Sequence, residues 1–320
     1  MTLKYSSKFT SRLKQLGIRH FDELIHDQPK AWLIDNFKQR AKKYKLNVTK
    51  LMRNLVWQTR ERIMNKQKPP LNELIRTFWY MYVKSTLSRS GSLSKKSDNQ
   101  YRQLIAVIVE LVKKYKLMRY SDIGFRDENQ AHRKVGRNAN IILFSEKLGQ
   151  QEFLSEIARE YGVSIIALGG KPSVLNVEYF VDDMKARGVN LRRTFHLFSV
   201  VDFDPHGWIV RSSFIDDLRL YGVSSIKITD LITPDMLTEE EVKISRYRVP
   251  QDKAAQKKMM MTWLKQIRKM NWRWEKNLME EERHRGKLYR YYCGLESESV
   301  SAKRMSEKLA AEINPLIRRK

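Results

Sequence analysis

Over most of the first 136 residues, apolar positions recur every three or four residues, which is the spacing of amphipathic helices. Residues 1–68 have this pattern throughout and predict a helical segment. Pro69 and Pro70 interrupt it, and LNELIRTFWYMYVKSTL then predicts a new helix. The loop SRSGSLSKKSDNQ separates that helix from a second one, YRQLIAVIVELVKKYKL. Two helices joined by a loop and followed by a polar segment predict a winged-helix (CAP-like) or helix-turn-helix unit over residues 69–136.

From residue 137 onward the pattern alternates between strands and helices. The apolar runs NIILFS, VSIIALGG, TFHLFSVVDFD and SSIKITDLI predict buried strands, and each of the first three precedes a helical stretch. Such alternation predicts a Rossmann-like parallel sheet with helical crossovers. Beyond Thr233 the chain is highly charged and is expected to be mostly helical, with an aromatic cluster at Trp263, Trp272 and Trp274. The predicted class is therefore α/β plus α, with residues 137–320 forming the sheet domain and its helical C-terminal extension.

The net charge of the chain indicates the kind of partner that it binds. Lys and Arg number 62 against 36 Asp and Glu, giving a net charge of +26. This excess opposes compaction and favours a polyanionic partner, most often nucleic acid, although membrane-surface and ribosome-associated proteins share it. Within the basic helical extension, residues 1–68, Lys42 and Lys43 belong to a run of cations interleaved with Phe37 and Tyr44. This run is either a phosphate-contacting face or a solvated helix face.

The cysteine content and the distribution of apolar residues bear on the compartment. A single cysteine, Cys293, excludes an intrachain disulfide and a cysteine-based zinc site, which fits a reducing environment. The N-terminal stretch lacks the apolar segment of a signal peptide, and no run reaches the roughly 20 apolar residues of a membrane span. We therefore expect a cytoplasmic protein without membrane association, associated with the nucleoid if the source is prokaryotic.

Three carboxylates follow predicted strands. Glu146 comes directly after the first strand, and Asp202 and Asp204 close the third. Because the carboxyl ends of parallel strands share one edge of a sheet, we expect the three to converge. Converging carboxylates repel one another, and a hard divalent cation such as Mg²⁺ would hold them ionised. The alternative is structural, with Asp202 capping the next helix and Asp204 filling a turn.

These residues carry a family resemblance. The order Glu146 in FSEK, then GGKPS, then DFDPHG resembles a Toprim domain, in the form found in the topoisomerase VI A subunit and the related meiotic double-strand-break transesterase. The resemblance covers roughly residues 70–300. It implies that Glu146, Asp202 and Asp204 hold Mg²⁺. Lys171 in GGKPS and His206 in DFDPHG are candidate DNA phosphate contacts, with solvent exposure and turn filling as their respective alternatives.

The same family cuts DNA with a tyrosine from a winged-helix domain, in an Arg-x-x-Tyr/Phe-Tyr motif. Arg76-Thr77-Phe78-Trp79-Tyr80 resembles it, with an aromatic residue ahead of the tyrosine, so the resemblance nominates Tyr80 as nucleophile and Arg76 as its neighbour. A phenol has a pKa of about 10 and attacks poorly at neutral pH unless a cation stabilises its phenolate. Arg76 would lie on the same helix face as Tyr80 and could supply that charge. Tyr82 would face another side. The alternative is a core-facing aromatic helix segment.

The resemblance implies a Mg²⁺-dependent type IIB topoisomerase A-like enzyme. Tyr80 would form a 5′-phosphotyrosyl link in each strand, so that a double-strand break requires a homodimer. An ATPase segment of the GHKL type would have to come from a separate B-type subunit. The chain departs from the family where Asn176-Val177 replaces Thr-Arg and where Trp79 replaces Tyr or Phe. The alternative functions are a hydrolytic metal-dependent nuclease and a non-catalytic DNA-binding protein.

Overall fold

The computed structural model describes residues 6–39, 42–170 and 173–318. The chain divides into two compact units, Met1–Glu128 and Asn129–Lys320. Among the described residues, none of the helices has both the length and the apolar character needed to cross a membrane.

The first unit is mainly helical. Its helices are α1 (Ser7–Gln15), α2 (Lys30–Phe37), α3 (Val48–Met64), α4 (Ile75–Phe78), α5 (Ser85–Arg89) and α6 (Ser97–Val109), with a 3₁₀ turn at Ile25–Asp27. Two strands, β1 (Lys38–Gln39) and β2 (Lys42–Leu46), lie between α2 and α3. A π-helical segment, Trp79–Lys84, joins α4 to α5, and a second one, Glu110–Lys114, extends α6. The two helices predicted on either side of the Ser- and Gly-rich loop are therefore present.

The basic run that follows α2 is not helical, contrary to the prediction for residues 1–68. β1 and β2 pair antiparallel, with Lys38 opposite Leu46. In a helix, Lys38 and Lys42 would be i, i+4 neighbours, and their like charges would repel. The strand pair instead buries Leu46, and Asn47 then begins α3 by accepting a hydrogen bond from the Lys50 amide at 3.0 Å.

Helix α3 is the centre of the first unit. It buries Leu51, Leu55 and Trp57 and packs against α6. An ion pair with an N–O distance of 2.6 Å joins Arg53 of α3 to Glu110, in the π-helical segment that extends α6. Among the described residues 69–128, the one β pairing is a bridge between Glu73 and Phe125, so the winged-helix arrangement stays a prediction.

The second unit contains the parallel sheet. Its strands are β3 (Arg133–Lys134), β4 (Asn138–Ser145), β5 (Val163–Ala167), β6 (Thr194–Val200), β7 (Ser225–Asp230), β8 (Arg246–Arg248), β9 (Met279–His284) and β10 (Lys287–Leu295). Its helices are α7 (Gln151–Tyr161), α8 (Val174–Ala186), α9 (Pro205–Leu220), α10 (Glu239–Ser245), α11 (Ala254–Asn277) and α12 (Ala302–Arg318). Short 3₁₀ turns occupy Gln130–His132, Leu148–Gln150, Pro234–Met236 and Ser297–Ser299.

The main sheet has the strand order β3-β5-β4-β6-β7. β4, β5, β6 and β7 pair in parallel, and the short β3 adds an antiparallel edge. The four predicted strands and their parallel pairing are thus confirmed. Because the chain moves from β4 to β5 on one side and later to β6 on the other, the strand order reverses between β4 and β6. In open α/β sheets, ligands bind at such a reversal, outside the carboxyl ends of the strands.

Helices cover both faces of this sheet, as the continuous apolar character of its strands requires. On one face, α7, α11 and α12 pack against alternate strand residues that include Ile141, Leu143 and Val200. On the other face, α8 and α9 pack against Ile142 and Phe144. The sheet is therefore a buried middle layer, and its carboxyl edge is held in place from both sides.

The C-terminal region is less helical than predicted. β8, β10 and β9 form an antiparallel sheet in that order, in addition to α10, α11 and α12. The aromatic-rich run KLYRYYCGL favours a strand because its side chains pack well on a pleated surface.

The predicted tryptophan cluster is also incomplete. Trp263 is buried, whereas Trp272 is 68% exposed, because α11 breaks at the non-helical residue Asn271 and the side-chain pattern shifts there.

Candidate functional site

Glu146 and Asp202 follow the two strands between which the strand order reverses. Ser145 and Val200 are register partners at the ends of β4 and β6, and the Glu146 amide donates to the Val200 carbonyl at 3.2 Å. The chain therefore leaves both strands at the same level of the sheet. This is the edge where the sequence placed the predicted carboxylates.

Asp204 begins helix α9. Its Oδ1 accepts a hydrogen bond from the Gly207 amide at 2.6 Å, which makes it the N-cap residue, with Pro205 at the first helical position. Its Oδ2 accepts a hydrogen bond from the Tyr247 hydroxyl at 2.7 Å. Burial and the Asp204 charge raise the pKa of Tyr247 far above its ordinary value, so the phenol stays a donor. The structural alternative assigned the cap to Asp202, but Asp204 provides it.

Asp202 is held by donors from two other segments. Its Oδ1 accepts a hydrogen bond from the Ser297 amide at 2.8 Å and lies 3.1 Å from the Lys147 ammonium. Lys147 is also 2.6 Å from Glu298 Oε2. The lysine next to Glu146 in the sequence thus supplies positive charge to the carboxylate on the neighbouring strand.

Glu146 is the most buried of the three acids, with only 8% of its surface exposed. Its Oε1 lies 3.2 Å from His206 Nδ1, while its buried Oε2 has no hydrogen-bond partner. Burial raises the pKa of Glu146, and the negative charge of Asp202 raises it further. Like-charge repulsion of this kind is expected between carboxylates at the ends of neighbouring strands, and the convergence of all three acids on one ion stays a prediction.

Between the two aspartates, Phe203 anchors the backbone. Its amide donates to the Leu295 carbonyl at 2.8 Å, and its carbonyl accepts from the Leu295 amide at 3.2 Å, forming an antiparallel bridge to β10. Its ring packs edge-on against Trp263 and Trp274, with centroid distances of 5.8 and 5.5 Å. Because adjacent residues of an extended segment point to opposite sides, burying Phe203 directs both aspartates to the other side.

Glycines permit the close backbone approaches at this edge. A Cβ at Gly207 would lie 2.0 Å from the Asp202 carbonyl oxygen, so only glycine fits that position. Gly170 has φ +103° and donates its amide to the Glu146 carbonyl at 2.8 Å. The GG pair of GGKPS therefore lies against the backbone of Glu146.

Whether Mg²⁺ fits here is decided by the free oxygen atoms. Within the described ranges, no group of three or more His, Cys, Asp or Glu side chains has a metal-holding arrangement. Asp202 and Asp204 use oxygens on protein donors, as described above. The partnerless Glu146 Oε2, buried beside the charge of Asp202, is nevertheless the kind of atom that a hard cation would satisfy. As they are arranged, the three acids do not form such a site, and holding Mg²⁺ would require at least the contact from Lys147 to Asp202 to be released.

Tyr80 lies in the first unit, on the π-helical segment Trp79–Lys84. Its side chain is 48% exposed and has two cations near its ring: Lys84 Nζ is 4.7 Å and the Arg76 guanidinium 6.0 Å from the ring centroid. Interaction with the Tyr80 hydroxyl raises the pKa of Arg76. Arg76, at i−4, thus lies near the Tyr80 ring, Lys84 is an additional cation, and the catalytic roles of Tyr80 and Arg76 stay predictions. π-Helical turns are rare and are frequent at functional sites.

Tyr82, two residues further on, has a different environment. Its hydroxyl accepts a hydrogen bond from Lys68 Nζ at 2.5 Å, and its ring packs against Phe78 and His26. Phe78 and Trp79 are buried packing residues. Tyr80 is therefore the exposed tyrosine of the motif, and Tyr82 is the structural one.

The residues predicted to contact DNA lie in different parts of the chain, and the structure describes only some of their side chains. The His206 side chain is 58% exposed beside Glu146. The backbone of Lys42 and Lys43 lies in β2, and Lys171 is outside the described residues. Their contact with DNA stays a prediction.

Sequence reasoning missed several residues that hold the acids. Lys147 could have been noticed as the cation adjacent to Glu146. Tyr247 and Ser297 carry no such signal, because they come from segments far along the chain whose approach depends on the β8–β10 pairing. No known family model matches the chain, and no curated protein matches it significantly.

Proposed function

We propose that the chain is a DNA transesterase resembling the topoisomerase VI A subunit, with Tyr80 as the nucleophile. The observation that carries this proposal is an exposed tyrosine on a π-helical turn, with Arg76 and Lys84 near its ring. Two cations beside the tyrosine would attract a phosphate to the same place. The net charge of +26 supports DNA as the partner.

In the proposed reaction, the Tyr80 oxygen attacks a backbone phosphorus and loses its proton. The P–O3′ bond breaks, and the 3′ oxygen takes up a proton to become a free hydroxyl. One phosphodiester bond is exchanged for another, so the step needs no oxidant, reductant or water. Arg76 and Lys84 would hold the phosphate oxygens as charge develops on them.

Glu146, Asp202 and Asp204 would hold Mg²⁺ in this reaction. When bound, the ion would neutralise charge on the phosphate and the leaving oxygen. The Tyr247 hydroxyl and the Gly207 amide fix the orientation of Asp204, and the Ser297 amide fixes Asp202. These contacts would hold both aspartates in place without Mg²⁺.

We further propose that the active form is a homodimer that cuts both strands. As the family resemblance implies, the tyrosine of one protomer would work with the acids of the other, which a two-fold dimer accommodates. ATP-driven strand passage would require a separate GHKL-type subunit.

The test is cleavage of supercoiled plasmid with Mg²⁺, with covalent adducts trapped by denaturant. Wild type and Tyr82→Phe should form adducts, and Tyr80→Phe should form none. Tyr82→Phe is a matched control because it removes the same hydroxyl from the same π-helical segment. The adduct should map to Tyr80 by mass spectrometry. Equal adduct formation by Tyr80→Phe would refute the mechanism.

The hydrolytic alternative uses the same acids with water as nucleophile. It predicts plasmid cutting that requires Asp202 but gives no covalent adduct, and that survives Tyr80→Phe. Adduct trapping and the Tyr80 variant therefore separate the two enzymes in one experiment.

A non-catalytic DNA-binding role is favoured by one specific observation. Asp202 is already paired with Lys147, and Asp204 with Tyr247, so the edge can be stable without an ion. This reading predicts that titration calorimetry will detect no Mg²⁺ binding above that of Asp202→Asn, while DNA binding is unaffected by the substitution. Mg²⁺ binding that is lost in Asp202→Asn would exclude it.

A further inference from the structure

The β9–β10 hairpin extends away from the packed part of the second unit. All residues from 281 to 290 are exposed, on both strands and at the turn. The strands stay paired up to His284 and Lys287, which leaves a two-residue turn, Arg285-Gly286. This exposed hairpin end has no role in the acid edge or the Tyr80 site described above.

Charges in the hairpin are segregated along its length. Near its base, each acidic side chain is paired: Glu280 and Glu282 with Arg248, and Glu281 with Arg290, at N–O distances of 2.7 to 2.9 Å. The tip, residues 283–287, has the sequence RHRGK and no acidic residue. Among the described residues, no carboxylate lies within 4.0 Å of a tip cation. The tip therefore has unneutralised positive charge.

The turn contains an arginine where its backbone disfavours one. Arg285 has φ +48° and Gly286 has φ +77°. Positive φ at both central residues defines a type I′ turn, in which asparagine is favoured at the first position because it tolerates this region best. Non-glycine residues in sparsely populated backbone regions cluster at functional sites. An arginine here adds charge at the cost of turn stability, which favours a binding role.

Apolar surface lies beside these cations. Leu288 is 49% exposed and is the register partner of Arg283, so the two share one face of the hairpin. Tyr289 is 42% exposed and lies on the opposite face. An exposed aromatic ring next to a basic tip is suited to packing against the sugar–phosphate backbone while the cations contact phosphates.

We propose that this tip, together with the adjoining Leu288 and Tyr289, is a wing that binds double-stranded DNA through its phosphate backbone. Arg283, Arg285 and Lys287 supply the phosphate contacts, and Tyr289 and Leu288 lie against the sugars. A two-stranded hairpin is narrow enough to enter a DNA groove. The inference shares its DNA partner with the proposed function but does not depend on any chemistry at Tyr80.

The test measures duplex binding as a function of salt, by fluorescence anisotropy, in buffer with EDTA and in the Tyr80→Phe background. The wing variant combines Arg283→Gln, Arg285→Asn and Lys287→Gln. Each lost phosphate contact reduces the slope of log K against log salt by about 0.9, so three reduce it by about 2.7. Between about 50 and about 200 mM salt, the parent should lose about 40-fold more affinity than the wing variant.

The matched control neutralises Arg192, Arg193 and Lys227, three exposed cations near the amino edge of the parallel sheet. It removes the same net charge at a distance from the hairpin, and its slope should stay within about 0.5 of the parent. Equal slope changes in the two triple variants would overturn the proposal, because non-specific charge would then explain both. A parent that binds no duplex would also overturn it.

A single variant keeps the test independent of folding. Arg285→Asn suits the type I′ turn better than arginine, so its melting temperature should be equal or higher, while its slope falls by about 0.9. A slope unchanged in Arg285→Asn would refute a phosphate contact at this position. Binding to anionic phospholipid vesicles that is lost in the wing variant, with the DNA slope unchanged, would instead assign the tip to a membrane surface and overturn the proposal.

Because these assays contain no Mg²⁺ and no Tyr80 hydroxyl, failure of the cleavage mechanism cannot change their outcome. Conversely, a wing variant that binds DNA normally would leave the Tyr80 adduct experiment unaffected.

Discussion

Replacing Phe203 with alanine tests whether the segment between the two aspartates is held by its buried ring. Phe203 is 7% exposed and packs against Trp263 and Trp274. The backbone bridge to Leu295 does not involve the side chain. The substitution therefore removes the aromatic anchor and leaves the backbone hydrogen bonds available.

The expected loss follows from two contributions. Withdrawing a buried phenylalanine side chain from its apolar surroundings costs about 2–3 kcal/mol. Each edge-to-face aromatic pair contributes about 0.5–1.5 kcal/mol beyond its buried area, and Phe203 makes two. Together they predict a loss of about 3–6 kcal/mol, which overlaps the range of about 3–5 kcal/mol measured for Phe→Ala in protein cores.

Urea unfolding followed by tryptophan fluorescence measures this loss directly, since two of the reporting indoles surround the site. Phe203→Leu is the control: it keeps most of the apolar volume but no ring, and should lose about 1–2 kcal/mol. A loss below about 1 kcal/mol for Phe203→Ala would refute the anchor, because it would mean that the cavity closes without cost.

Two further predictions concern charged groups. Lys147→Met should tighten Mg²⁺ binding about fivefold, measured by calorimetry, because it removes an ion pair worth about 1 kcal/mol and so frees Asp202. Weaker Mg²⁺ binding by this variant would instead make Lys147 a positioning residue. The Arg304 guanidinium and the Thr238 amide lower the pKa of Glu241 from 4.5 to about 2. Its contribution to stability is therefore complete above the unfolded pKa and is lost as pH falls from about 4.5 towards about 2. In circular dichroism melts, Glu241→Gln should melt below wild type near neutral pH, with the difference vanishing near pH 2; a constant difference would contradict the assignment.

Much of the sheet could be predicted because its strands are buried on both faces. A strand such as β4 reads as a continuous apolar run, and the helices between strands are amphipathic, so periodicity identifies both. The antiparallel C-terminal sheet lacked this signal. β9 is MEEERH, a charged run that becomes a strand only through pairing with β10. Long-range pairing of this kind overrides local propensity, and a single sequence does not display it.

The same distinction applies to the candidate site. Glu146, Asp202 and Asp204 could be placed at one edge because their positions follow from strand ends alone. Their partners could not, since Tyr247 and Ser297 reach the edge through tertiary packing. The shared helix face of Arg76 and Tyr80 was predictable from helical spacing, whereas the π-helical geometry around Tyr80 was not, because hydrogen-bond shifts within a helix leave no pattern in side-chain type.

The residues that hold the three acids show that the C-terminal region belongs to the candidate site. The parallel strands alone contain all three carboxylates, yet Asp204 is held by Tyr247 on β8, Asp202 by Ser297, and the segment between them by Leu295 on β10. Carboxylates lacking these donors would repel one another and turn towards solvent. A chain cut after β7 would therefore keep the acids but lose their arrangement. The C-terminal region is in this sense part of the acid edge, and its hairpin extends the same structural unit to an exposed basic tip.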